Sequence, residues 1–121
     1  MAKILIADDS DTDLAYLLEI LSDLPHQVVS VRDGAQVEEK VKNERFDLFI
    51  LDVIMPGKNG FQVCRGLKKH PATAAVPVIL TTSKSADSDK FWGQKQGADV
   101  YLCKPYTPEQ LLAAVNTFLS C

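Results

Sequence analysis

Short apolar runs alternate with longer stretches of helical periodicity from one end of the chain to the other. Lys3–Asp8, Val28–Val31, Leu48–Leu51, Val76–Thr81 and Val100–Cys103 read as strands; Pro77 suits the opening of its strand, where a missing N–H costs little. They lack strict apolar–polar alternation, as expected when helices cover both faces of a sheet. Between them, Leu14, Leu17, Leu18 and Leu21 space a helix over Asp13–Leu24 that Pro25 stops. Val37 and Val41 mark a weaker helix over Ala35–Asn43, preceded by Asp33-Gly34. Phe61, Cys64 and Leu67 mark another over Phe61–Lys69, and Asp87–Gln96 closes at Gly97, a glycine suited to the C′ position. Thr107 as N-cap and Pro108 at the first helical position start a last helix, striped by Leu111, Leu112, Val115, Phe118 and Leu119. Five strands alternating with five helices predict a βαβ chain with a parallel sheet, and right-handed crossovers make that sheet doubly wound.

Polar signals directly follow four of the runs: Asp8-Asp9, Asp52, Thr81-Thr82 and Lys104-Pro105. In a parallel sheet all four project from the carboxyl edge, where open α/β sheets bind ligands. Asp8 and Asp9, with Asp52 on a neighbouring strand, repel one another unless a cation stands by. Lys104 supplies one positive charge and a divalent ion would supply the rest. With oxygen ligands and no His or Cys close by, Mg²⁺ suits the set. On its own, Asp8-Asp9 reads equally well as a cap for the next helix. It is the gathering on one edge that gives the chemistry its weight.

Composition narrows the classes. At 121 residues, 46% hydrophobic and 24% charged, the chain is expected to form one domain over residues 1–121 with a sizeable core. Its net charge of −3 argues against direct nucleic-acid binding, which calls for a basic face. No stretch approaches the roughly 18 apolar residues of a membrane span, and Met1-Ala2-Lys3 leads straight into the first strand rather than into a signal peptide. Cys64, Cys103 and Cys121 are too scattered for a zinc site or a disulfide framework. A reducing, cytoplasmic setting is expected, with Cys103 a small buried hydrophobe.

In combination, Asp8-Asp9, Asp52 followed by Met55-Pro56 and Gly60, Thr82, and Lys104-Pro105-Tyr106 resemble the signature of the receiver domains of two-component response regulators, in order and over the full length. The resemblance implies a flavodoxin-like doubly wound sheet of five parallel strands, in order 2-1-3-4-5, with five helices. It implies that Asp52 is the nucleophile taking a phosphoryl group from a sensor histidine kinase or phosphotransfer protein. Asp8 (partly through water), Asp9, Asp52 and the backbone carbonyl of Ile54 would hold Mg²⁺. Lys104 would pair with a phosphoryl oxygen, aimed inward by a cis Lys104–Pro105 bond. Thr82 would hydrogen-bond to the phosphoryl group and move toward it, and Tyr101 would turn inward as the aromatic switch.

Output would then come from a downstream protein docked on the helix 4–strand 5–helix 5 face, around residues 90 to 118, with no nucleic acid or membrane involved. Such a domain is a phosphoacceptor that assists its own phosphorylation and dephosphorylation, rather than an enzyme acting on other substrates. The physics agrees. Phosphoryl transfer asks for positioning and charge neutralisation more than covalent help, and the added phosphoryl group brings nearly two negative charges able to reposition Thr82. Ile54 and Lys84 stand two residues beyond Asp52 and Thr82, where the family tunes loss of the phosphoryl group. An apolar Ile54 offers nothing to orient water, so slow self-dephosphorylation is expected.

Weaker signals read more plainly. Thr81 is expected to be a strand residue rather than a ligand. Asp9, Asp11 and Asp13 imitate the start of a calcium loop, but Leu14 and Ile20 stand where Gly and Glu are required, so Asp11 and Asp13 read as helix-start acids. One of Phe91 and Trp92 is expected in the core. With the last helix ending near Leu119, a stand-alone receiver is the leading reading, and a receiver fragment of a larger regulator would look the same. A small Mg²⁺-dependent aspartate-nucleophile phosphatase lacks its DxDx[TV] motif, and a flavodoxin-like cofactor binder lacks its phosphate loop.

Overall fold

The computed structural model describes residues 1–83 and 86–119; Lys84 and Cys121 lie outside the described residues. In chain order the elements are β1 (Lys3–Ala7), α1 (Asp11–Leu21), β2 (Gln27–Val31), α2 (Gly34–Asn43), β3 (Leu48–Asp52), α3 (Gly60–Lys69), β4 (Val78–Thr82), α4 (Asp87–Lys95), β5 (Val100–Cys103) and α5 (Pro108–Phe118). The strands pair in parallel in the order β2-β1-β3-β4-β5. Successive strand side chains point to opposite faces, and here both faces are covered. Leu5, Phe49, Leu51 and Leu80 pack with Val37, Val63 and Leu67 on one side. Ile4, Ile6, Ile50 and Ile79 pack with Leu14, Leu17, Leu111 and Val115 on the other. The central strands therefore run unbroken in apolar residues over Ile4–Ala7, Leu48–Leu51 and Val78–Leu80, which removes the alternation.

Side-chain caps set where several helices begin. Ser10 Oγ accepts the Asp13 N–H at 3.3 Å, so α1 opens at Asp11 instead of Asp13. Asn59 with Gln62, and Thr107 with Gln110, form reciprocal capping boxes at α3 and α5. At its other end α1 stops at Leu21, earlier than expected, with Ser22 as C-cap. Its buried residues are Leu14, Leu17, Ile20 and Leu21, whereas Leu18 is exposed. Leu18 lies about 100° round the helix from Leu17, which turns it from the core.

Two further expectations give way. Neither Phe91 nor Trp92 is in the core; they are 59% and 52% exposed. The buried residue of α4 is Gly93, and a Cβ there would stand 2.8 Å from Tyr101 Cδ1. The helix thus meets the sheet through its backbone, too close for a large inward side chain. Cys103 is only half-buried, because β5 is an edge strand paired on one side. Among the described residues no helix is long and apolar enough to cross a membrane.

Glycines of α3 give a paired test. A Cβ on Gly60 would lie 2.4 Å from the Asp52 carbonyl oxygen and 2.8 Å from Val53 Cα, whereas one on Gly66 would meet nothing within 4 Å. Gly60→Ala is expected to lower stability by about 1–3 kcal/mol through overpacking. Gly66→Ala is expected to raise it by about 0.5–1 kcal/mol by restricting the unfolded chain. Urea-unfolding midpoints moving in opposite directions would bear this out.

Candidate functional site

The strand ends deliver the polar residues one by one. Asp8 leaves β1 fully buried, its N–H donating to the Val31 carbonyl at 3.2 Å. Asp52 ends β3 at 6% exposure, and Thr82 ends β4 fully buried. Lys104 follows β5, its N–H donating to the Thr82 carbonyl at 2.7 Å. The Lys104–Pro105 peptide is cis, as expected, and the side chain points into the acidic edge.

Lys104 Nζ lies 3.0 Å from Asp8 Oδ2, 2.7 Å from Asp13 Oδ2 and 3.4 Å from Asp52 Oδ2. The second oxygens of the buried acids are also engaged. Asp8 Oδ1 accepts the Ser10 N–H at 2.9 Å and Asp52 Oδ1 accepts the Ile54 N–H at 3.3 Å. Asp9 is exposed, yet one carboxylate oxygen from each of Asp8, Asp9 and Asp52 falls within 4.8 Å of the others. Such an oxygen-only cluster is the donor set a hard divalent cation takes.

Burial pushes the Asp52 carboxyl up from 3.8 to about 6, helped by the Asp8 charge and opposed by Lys104 and the Ile54 N–H. For Lys104, burial pulls toward the neutral amine. Hydrogen bonds to Asp13 and Asp8 and the charges of Asp52 and Asp8 outweigh it, holding the group above its ordinary value and firmly charged.

Asp13 was read from the sequence as a helix-start acid only. It occupies the first turn of α1 as expected, but it also makes the shortest contact to Lys104. The signal was present: a helix that follows β1 begins over the carboxyl edge, so a first-turn acid hangs above the site. Asp11 instead pairs with Arg32. Thr81 sits in the strand opposite Asp52 in register, buried, with no hydrogen-bond partner for its hydroxyl.

Tyr101 lies on the other face of the sheet. Its ring stacks on Phe61 at 6.4 Å with planes 12° apart, beneath Gly93. Burial, with Asp89 and Cys103 adding, pushes its phenol up to about 12. Beside the acidic cluster, Tyr106 is buried against Tyr16 (5.6 Å between rings), whose hydroxyl donates to the Tyr106 carbonyl at 2.9 Å.

Residues 4–116 match the family described as the response regulator receiver domain. The chain belongs to that family. It is 42% identical over 120 residues to Protein PilH of Pseudomonas aeruginosa, covering 99% of each chain. Against other curated regulators it spans about half of their length. Among solved structures, the receiver domain of a signal transduction histidine kinase from Syntrophus aciditrophicus is 36% identical with TM-score 0.92, matching 99% of this chain and 91% of that one. The chemotaxis response regulator CheY4 of Vibrio cholerae is 31% identical with TM-score 0.91, matching 98% and 99%. The work of such a receiver is that of a phosphoacceptor in two-component signalling, and its upstream partners are histidine kinases or phosphotransfer proteins.

The electrostatics predict a conflict between this site and stability. Between about 3.8 and 6 the folded receiver holds the Asp52 proton more tightly than the unfolded chain, so stability falls as pH rises through that window. Above it the cost is complete. Asp52→Asn should therefore stabilise the metal-free protein at about pH 7.5 by roughly 1–3 kcal/mol, with the gain fading below about pH 4. Saturating Mg²⁺ should shrink the gain, since it stabilises the wild type more than the variant. Thermal unfolding of both proteins across pH, in chelator and in Mg²⁺, reads all three expectations.

Proposed function

We propose that this receiver accepts a phosphoryl group on Asp52 and signals by binding a protein partner in the phosphorylated state. The observation that carries the reading is the Lys104 ammonium 3.4 Å from the buried Asp52 carboxylate, on an edge shared with Asp8 and Asp9. One Asp52 oxygen attacks phosphorus as the bond to the donor's imidazole nitrogen breaks. The electron pair leaves with the imidazole, and an acyl phosphate remains. Asp8, Asp9 and Asp52 fit Mg²⁺ and would hold it together with the Ile54 carbonyl; bound there, the ion would supply charge that neutralises the phosphoryl oxygens. Lys104 adds its own positive charge to that neutralisation and Thr82 hydrogen-bonds to the new group.

The role is that of a phosphoacceptor rather than an enzyme acting on other substrates, although the same residues assist phosphoryl gain and loss. Correspondence with PilH over 99% of each chain supports reading these residues as one receiver domain. The output surface is then the α4–β5–α5 face; the exposed Phe91 of α4 is open to solvent beside it, whereas Trp92 lines a groove with Arg65, Lys68 and Lys69 of α3. On that reading Tyr101, packed against Phe61 and α4, is the ring whose position reports Thr82 to the surface.

Incubation with Mg²⁺ and a small phosphodonor should add one phosphoryl mass, stable in acid and labile in base. Asp52→Asn should abolish it, while turnover of the donor without a labelled protein would point to a phosphatase. Ile54 is 50% exposed and apolar, with no group to orient an attacking water. The isolated phosphoprotein should accordingly last minutes or longer, with Ile54→Asn shortening its life. Decay within seconds, unchanged in Ile54→Asn, would reject that role for Ile54.

A further inference from the structure

Asp13 is the acid of this edge to which phosphoacceptor chemistry gives no task. A carboxylate in the first turn of α1 has a sufficient local reason to be there, the positive end of the helix dipole. That reason does not account for its partner. Asp13 Oδ2 is the nearest of three carboxylate oxygens to Lys104 Nζ, at 2.7 Å against 3.0 and 3.4 Å, across 91 residues of sequence.

An ammonium group has three N–H donors, and Asp8, Asp13 and Asp52 occupy them. Any bond from Nζ to a phosphoryl oxygen must therefore displace or weaken one of the three. Asp8 is fully buried and also holds the Ser10 N–H, so its position is fixed. Asp52 carries the incoming group. Asp13, with a side chain 42% exposed against 16% for Lys104, is the partner that water can most readily replace.

We propose that Asp13 is a positioning residue for phosphoryl transfer: its ion pair draws Lys104 toward α1, in competition with the phosphoryl group on Asp52. The inference rests on the receiver reading above. It makes the first turn of α1 a setting for how readily the site takes a phosphoryl group, independent of the metal ligands.

The probe is beryllofluoride, a non-covalent phosphoryl mimic, titrated calorimetrically at saturating Mg²⁺ into the full chain. Removing a competing, partly exposed ion pair should tighten binding in Asp13→Asn by about 3- to 10-fold. Asp13→Glu, which restores the charge, should fall back toward the wild type. In a Lys104→Met background, Asp13→Asn should shift binding less than twofold, because the competition has lost its object. Equal tightening with and without Lys104 would assign the effect to charge at a distance and overturn the proposal. So would unchanged or weaker binding in both Asp13→Asn and Asp13→Ser, with thermal unfolding used to select folded variants. Failure of the wild type to bind would sink the receiver reading and this inference with it; wild-type binding with an indifferent Asp13 sinks this inference alone.

Discussion

The ammonium group of Lys104 holds the carboxyl edge of this sheet against its own charge. Asp8 and Asp52 are buried there and Asp9 and Asp13 stand beside them, so Lys104 faces four carboxylates. Removing one partner from a buried ionic group leaves uncompensated charge, a far larger cost than an exposed pair is worth. The arrangement is tolerable because both oxygens of each buried acid, Asp8 and Asp52, have a donor: the Ser10 and Ile54 N–H groups and two of the three bonds from Lys104. It is not comfortable, as the raised Asp52 carboxyl shows. A site in that condition responds strongly to any added charge, positive from a metal or negative from a phosphoryl group.

The fold turns that local charge balance into something the rest of the molecule can feel. Lys104 is tied by its backbone to the Thr82 carbonyl, so the residue that neutralises the edge and the residue proposed to bind a phosphoryl group are coupled across neighbouring strand ends. On the far face of β5, Tyr101 touches Phe61 and lies under Gly93 of α4. Because α4 contributes only a glycine to the buried region, few apolar contacts hold it, and elements with few buried contacts open most readily. The helix that follows Thr82 in the chain thus meets the sheet through a glycine laid against the Tyr101 ring.

How much of this was legible in the sequence follows from where the determining forces lie. Strands and helix starts are local matters: Ser10, Asn59 and Thr107 announce their caps, and the glycine at 97 adopts the positive φ its position suggested. The edge was legible too, since parallel strands carry Asp8, Asp9, Asp52, Thr82 and Lys104 to one side whatever the details of packing. The hydrophobic rule failed at Phe91 and Trp92. Nothing in a helix's own sequence says that its close approach to a tyrosine on the sheet will leave room only for Gly93. Asp13 was half read, because a helix-start acid and a lysine partner occupy the same position without contradiction, and only the three-dimensional placement of Lys104 reveals the second role.

That double occupancy has a consequence for how such a site is tuned. On the proposed reading, the acids that would hold a metal and Asp52 are constrained by the reaction itself, so altering them would destroy function instead of grading it. Lys104 is equally constrained, but the strength of its hold on the phosphoryl group depends on what else it holds. A neighbour on α1, outside the metal cluster and partly in water, changes that balance by a modest factor without touching the chemistry. Graded control of a charge-switched site is therefore best lodged in the partners of its counter-ion, and in this chain the partner free to serve is Asp13.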